Sequence, residues 1–201
     1  MTTEQTGAKK RRRSGRDDLF RVAAELFAEH GYHGTGLSDL ERATGLGRGS
    51  IYHYVSSKDD LLFGITSQYL VGLIATGEEL LASDLEPEER LRLLSREVMT
   101  VIVEHLPEMT VCFRDMHEVA EPQRAEVLEL HRRYEEVWEA TLQRGLEQGR
   151  FRTADHLIVK AILGLHHYAY LWVQPAGPMT PEQIADVFSD FMMNGLETDD
   201  A

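Results

Sequence analysis

Between residues 48 and 58 the chain places Arg48, Ser50, Tyr52, His53, Tyr54 and Lys58. They supply a guanidinium, an ammonium, hydroxyl groups and aromatic rings, a set suited to phosphate oxygens and to base edges in a major groove. Other chemistries find less support. His166-His167, His117 and Cys112 lack the i, i+4 and C-x-x-C spacings that put two metal ligands on one face. No glycine-rich phosphate loop, nucleophile elbow or catalytic carboxylate pair is present. The expectation is a chain that is not an enzyme and holds no metal and no cofactor.

Groups that read DNA need a helix to aim them. Helical periodicity divides this region into two short helices, about 38–44 and 48–55, separated by Gly45-Leu46-Gly47. That is the spacing of a helix-turn-helix, with two residues free to adopt positive φ. Leu37, Leu40 and Ala43 are expected on one face of the first helix, and Ile51 and Val55 give the second an apolar stripe to pack on it. The opposite face of the second helix then carries Arg48, Ser50, Tyr52 and His53, with Tyr54 to the side.

The run Thr35-x-Leu37-x-x-Leu40, followed by Ala43-x-Gly45-Leu46-x-x-Gly49-Ser50-Ile51-Tyr52-x-Tyr54-Val55-x-Ser57-Lys58-x-x-Leu61-Leu62, resembles the DNA-binding domain of the tetracycline-repressor-like (TetR) family of bacterial regulators. Gly47 stands where the family usually has a capping Ser, Tyr54-Val55 where His-Phe is common, and Glu41 where Ala is usual. A Gly cap is worse than Ser by roughly a few tenths of a kcal/mol. The resemblance implies a dimeric, ligand-responsive repressor of a palindromic double-stranded DNA operator. It assigns Thr35, Ser57, Tyr52, Tyr54 and Lys58 to phosphates; Arg48 and Ser50 lie near base edges, and Gly49 and His53 complete the DNA-binding set. Thr35 is expected to cap the second helix, and Ser57, with Asp60 three residues on, the fourth. A helix N-terminus offers free N–H groups and partial positive charge to a phosphate.

The chain carries a formal net charge of −13, which argues against a nucleic-acid partner only if the charge is evenly spread. Residues 1–60 hold ten Lys/Arg against nine acids, whereas the remaining 141 residues hold eleven basic groups against twenty-five acidic ones. A small domain with a basic edge is joined to an acidic body that DNA would repel. The body must serve another partner. The expected division is a basic arm over 1–15, disordered alone or lying along DNA, a helix-turn-helix domain over 16–60, and a ligand-binding and dimerisation domain over 61–201. Cys112 is alone, so no intrachain disulfide can form. No apolar run approaches the roughly 18 residues of a membrane span. The expected location is the cytoplasm.

The remainder reads as helix after helix. Leu19, Val22, Ala23, Leu26 and Phe27 mark a helix over about 16–30, ended by Gly31. A helix from 58 to about 81 keeps Leu61, Ile65, Tyr69 and Leu73 in register and runs into the body. Pro87, Pro107, Pro122 and Pro181 stand where helices can begin, giving helices over about 87–105, 107–118, 122–148, 155–173 and 181–195. Nothing alternates with period two long enough for a strand. The expected fold class is all-α, with about nine helices.

Two features of the body bear on function. The last helix puts Ile184, Val187, Phe188, Phe191 and Met192 on one stripe, expected to form a homodimer interface with the helix before it. Met99, Val103, Arg114, Met116, His117, Tyr134, Trp138, His166, His167 and Tyr170 combine apolar bulk with a few polar anchors, the makeup of a small-molecule pocket or of a filled core. Residues 120–196 are similar to the lipid- and steroid-catabolism branch of the same family. That similarity implies a small hydrophobic or acyl-CoA-type effector, its anionic part met by Arg114 or the basic groups of the pocket mouth. The acidic body favours instead a multidrug-type cationic ligand, and an architectural DNA-coating protein would need no effector.

Overall fold

The computed structural model describes residues 15–198; the expected basic arm, apart from Gly15, lies outside the described residues. Among the described residues nine α-helices follow in order: α1 Gly15–His30, α2 Leu37–Thr44, α3 Arg48–Tyr54, α4 Lys58–Ala82, α5 Pro87–Glu104, α6 Leu106–Asp115, α7 Gln123–Glu147, α8 His156–His167 and α9 Pro181–Leu196. A 3-10 turn at Met116–Glu118 continues α6 and another at Tyr168–Leu171 continues α8. The only extended pairing among the described residues is a bridge between Phe151 and Glu197. The fold is all-α, as expected. No helix among the described residues is long and apolar enough to cross a membrane.

Local chemistry sets the element ends. Ser57 Oγ accepts from the Asp60 N–H at 3.0 Å while the Asp60 carboxylate accepts from the Ser57 N–H at 3.1 Å, a reciprocal box that opens α4. Thr180 and Gln183 do the same for α9. In the Gly45-Leu46-Gly47 turn only Gly45 uses the left-handed region, at φ 70°, whereas Gly47 is an extended N-cap at φ −69°. The cap of α2 differs from expectation. Gly36 holds that position, its N–H donating to Asp39 at 2.9 Å.

Two apolar cores lie along α4. One joins Leu19, Ala23, Phe27, Leu40 and Ile51 to Leu61, Leu62 and Ile65 of α4. The other joins Leu70, Leu73 and Ile74 of α4 to Leu94, Val98, Ile102, Trp138, Ile162 and Met192. A single helix of 25 residues thus belongs to both, and because packed cores resist deformation its tilt cannot change in one alone. Where α1 crosses α4, a Cβ on Gly64 would stand 2.1 Å from a Phe20 ring carbon; glycine is what permits the contact. The first core also reaches past residue 60, since Val111 of α6 and Val119 join it. At the far end of α4, the fully buried Arg90 donates to the carbonyls of Leu80 at 2.8 Å, Leu85 at 2.9 Å and Ser83 at 3.2 Å, tying that helix end to α5.

Candidate functional site

α2 and α3 meet through Leu40 and Ile51, which are sealed from solvent, with Val55 beside them. Ala43, expected in that contact, faces out; Leu37 and Thr44 are half-buried in its stead. The outer face of α3 exposes Arg48, Gly49, Ser50, Tyr52 and His53. The Arg48 guanidinium lies 5.9 Å from the Tyr52 ring centroid, and Tyr52 keeps 49% of its surface exposed. Tyr54 is half-buried and turned toward α1: a Cβ on Gly15 would come within 2.6 Å of its hydroxyl. The chain therefore enters α1 beside the end of α3.

Two of the expected phosphate contacts are used inside the fold. Thr35 is 1% exposed and donates to the carbonyls of Leu26 at 3.2 Å and Gly31 at 3.1 Å. Its hydroxyl locks the α1–α2 connection and has no surface to offer a phosphate. The Lys58 ammonium donates to the carbonyls of Tyr32 at 2.9 Å and Thr35 at 3.1 Å, and lies 4.1 Å over the Tyr32 ring. Lys58 is thus a brace between α4 and the α1–α2 connection. Lys58→Met is expected to lower stability by about 1–3 kcal/mol, because two carbonyls lose a charged donor, and to change the salt slope of DNA binding by less than one counterion. Urea unfolding and salt-dependent binding isotherms measure the two effects.

The surroundings of Arg114 also differ from expectation. Asp115 holds its guanidinium through two contacts of 2.9 Å, and it donates to the carbonyls of Ala28 at 2.9 Å and Phe27. Those carbonyls end α1, where the helix dipole favours a cation. His117 lies outside as well, its side chain 73% exposed and 3.2 Å from Glu118. Glu118 in turn reaches His33 at 2.9 Å. Gln123, opening α7, donates to Asp60 at 3.1 Å. Burial by itself would raise the Asp60 carboxyl, but the hydrogen bonds from Gln123, the Ser56 and Ser57 N–H groups and the Ser57 hydroxyl hold it below its ordinary value. The α6–α7 connection is fastened to α1, the α1–α2 connection and the head of α4 at Arg114, Glu118 and Gln123.

Among the other expected pocket residues, Met99, Val103, Tyr134, Trp138 and His166 are buried in the core of the body, and Met116, His167 and Tyr170 are half-buried. His166 is a satisfied core histidine, its Nε2 2.8 Å from Ser95 Oγ and its Nδ1 2.8 Å from the Ile162 carbonyl. Burial pushes it down to about 4, so it is neutral at pH 7. His167 stacks on Phe113 at 4.7 Å and Tyr170 follows at 5.1 Å. A groove of about 490 Å³ runs along α4 between α1 and the α5–α6 junction, floored by Phe20, Ile65, Tyr69, Leu73 and Val101, with Asp17, Glu97, Glu104 and Glu108 among its polar lining. Tyr69 was not foreseen as a site residue, although a tyrosine in a helix register of Leu and Ile is a visible signal. Its hydroxyl lies 3.0 Å from Cys112 Sγ and 3.5 Å from His131 Nε2.

The apolar stripe of α9 divides between two sides. Ile184 and Met192, each 5% exposed, face inward; Phe188 is half-buried against His166 and Trp172, at 5.4 and 6.3 Å. Val187 and Phe191 point outward, 57% and 71% exposed. A stripe spread over i, i+3, i+4, i+7 and i+8 is wider than one contact. Beside Phe191 and Met192, α8 presents Ile158, Ala161, Ile162 and Leu165, forming an open apolar groove of about 620 Å³.

Residues 19–65 match the family model of bacterial regulatory proteins of the tetR family, and residues 84–196 match the tetracyclin repressor-like C-terminal domain. The HTH-type transcriptional repressor KstR2 of Rhodococcus jostii is 28% identical over 185 residues, which cover 90% of this chain and 90% of that protein. KstR2 of Mycobacterium tuberculosis is 25% identical over 186 residues, covering 91% and 93%. Among solved structures, the TetR family transcriptional regulator PfmR from Thermus thermophilus superposes with a TM-score of 0.82 at 34% identity, over 90% of this chain and 99% of that one. The first model ends within the helix that joins the two cores and the second begins just past it, and the chain belongs to the tetR family of bacterial regulatory proteins.

Proposed function

We propose that the protein is a homodimeric repressor that grips a palindromic operator through α3 and releases it when a small apolar molecule binds in the body. The observation that carries this reading is the double membership of α4, which starts at the DNA-binding unit and is built into the core of the other. A ligand that binds one tilt of α4 better than another shifts the population of tilts. Half-sites lie about 34 Å apart, or a multiple of it, along the DNA axis, so a shift of a few ångström in a dimer prevents both recognition helices from docking. The repressor relatives in Rhodococcus and Mycobacterium support the sign of the regulation.

The DNA contacts in this reading are Arg48, Gly49, Ser50, Tyr52, His53 and Tyr54. The first three stand at the start of α3, where base edges come within reach. Arg48→Ala is expected to lose about 1–3 kcal/mol of discrimination at one base position per half-site, with a smaller effect on non-specific DNA. Selection of an operator from random duplexes, followed by titration of single-base variants, measures it. Sequence-indifferent binding by the wild type would favour the architectural alternative instead. For an acyl-CoA effector the anchor is not Arg114, which is engaged by Asp115 and α1, and falls to other basic groups at a pocket mouth. A small hydrophobic effector is the form the body supports best, with a cation as the second reading on account of Glu97, Glu104 and Glu108 at the groove.

A further inference from the structure

Residues 15–65, which form α1, α2, α3 and the head of α4, hold five basic side chains, Arg16, Arg21, Arg42, Arg48 and Lys58, against eight Asp and Glu, a formal net charge of −3. Most of that small basic complement is engaged within the fold. The Lys58 ammonium is turned onto the carbonyls of Tyr32 and Thr35, Arg21 pairs with Glu25 at 2.6 Å, Arg42 lies 3.3 Å from Asp39, and the Arg16 guanidinium stands 4.5 Å over the Phe20 ring. Arg48 is the cation left on the outer face of α3. Affinity for a duplex grows with the number of phosphates that Lys and Arg neutralise. A unit of net negative charge with one cation forward gains little of it.

The charge that α3 lacks stands just upstream in the chain. Lys9, Lys10, Arg11, Arg12 and Arg13 are consecutive, and against them residues 1–14 hold one acid, Glu4, so that this stretch carries a net +4. The fold fixes where the stretch is attached. A Cβ on Gly15 would stand 2.6 Å from the hydroxyl of Tyr54, the last residue of α3. At no more than about 3.6 Å per residue, the five cations lie within roughly 7–22 Å of that point. One turn of duplex rises about 34 Å, so this reach takes in the phosphates on either side of a major groove that holds α3. The acidic body, with eleven basic groups against twenty-five acidic ones over residues 61–201, is the competing anion; the attachment beside α3 favours DNA.

We propose that residues 9–13 bind the phosphate backbone beside each half-site and supply most of the protein's electrostatic affinity for DNA. This rests on the DNA-binding reading above and divides its labour. Phosphates carry no sequence information, so the basic stretch sets affinity and salt dependence while the outer face of α3 sets sequence preference.

Three full-length proteins test this: the wild type, a neutral variant with Lys9→Gln, Lys10→Gln, Arg11→Gln, Arg12→Gln and Arg13→Gln, and a charge-keeping variant with Arg11→Lys, Arg12→Lys and Arg13→Lys. Affinity is measured from low to high salt on a random-sequence duplex and on an operator selected with the wild type. Each neutralised phosphate contributes about 0.9 to the logarithmic salt slope, so the neutral variant should be shallower by about four per subunit on both duplexes and weaker by at least about 10³-fold at 0.1 M salt. Its discrimination among single-base operator variants should persist. The charge-keeping variant should match the wild type, which also shows that substitution in this stretch leaves the fold competent. A neutral variant with the wild-type slope would overturn the proposal, and so would one that binds DNA more tightly, the result expected if the stretch lies on the acidic body. A charge-keeping variant as weak as the neutral one would overturn it too, since charge would not be what counts. A slope that depends on residues 9–13 without any sequence preference in the wild type keeps this proposal and removes the operator-specific reading; sequence preference with an unaltered slope in the neutral variant does the reverse.

Discussion

Phe191→Glu is expected to convert the protein to monomers and to abolish operator binding at concentrations that saturate the wild type. Phe191 is 71% exposed within one chain, so a carboxylate there is solvated and leaves the fold intact. In a two-fold interface built from α8 and α9 the same residue enters the apolar groove formed with Ile158, Ala161 and Leu165. Symmetry introduces the charge twice, and each uncompensated buried charge costs several kcal/mol. A monomer binds one half-site and loses the effective concentration that tethers the second, a penalty of roughly 10²- to 10⁴-fold. Sedimentation gives the oligomeric state, circular dichroism checks the fold, and titration with operator gives the affinity. A Phe191→Glu protein that remains dimeric and binds operator normally would place the two-fold axis elsewhere. Phe188 is the poorer test, because it packs on His166 and Trp172 and a charge there would disturb the chain itself.

The helix-turn-helix was legible in the sequence because its determinants are local. The capping box of Ser57 and Asp60, the left-handed Gly45 and the spacing of Leu40, Ile51 and Val55 all act within a turn or two of the chain. The uses of Thr35, Lys58 and Arg114 were not legible. Lys58 meets the carbonyl of Tyr32, 26 residues away, and Arg114 meets that of Ala28, 86 residues away; polarity alone does not tell a long cation that faces solvent from one that closes a helix end. The stripe of α9 announced burial without saying how much of it α5 and α8 would cover. The aromatic groups of α7 and α8 had the composition of either a core or a pocket, and only the neighbours show that His166 is satisfied in the core by Ser95 and Ile162.

Arg114→Met combined with Gln123→Ala is expected to leave operator binding and effector binding in place while removing the exchange between them. In the wild type, linkage requires the effector to weaken operator binding by the same factor by which operator weakens effector binding, typically about 5- to 150-fold. The α6–α7 connection has two chemical fasteners whose removal spares both sites: Arg114 on the last carbonyls of α1 and Gln123 on Asp60 at the head of α4. Without them, motion in the body reaches the recognition helix only through α4 itself, the apolar contacts of Val111 and Val119, and the exposed pair of Glu118 with His33. The coupling factor should fall toward unity in the double variant and to an intermediate value in Arg114→Met alone. Stability should decline by about 1–3 kcal/mol, since the α1 carbonyls lose a charged donor, so titrations belong well below the melting temperature. The measurement is effector affinity with and without saturating operator, for wild type and both variants. An unchanged coupling factor in the double variant would assign transmission to α4, the contacts of Val111 and Val119 and the Glu118–His33 pair. Equal effector affinities with and without operator in the wild type would remove the induction mechanism, whatever the protein binds at either end.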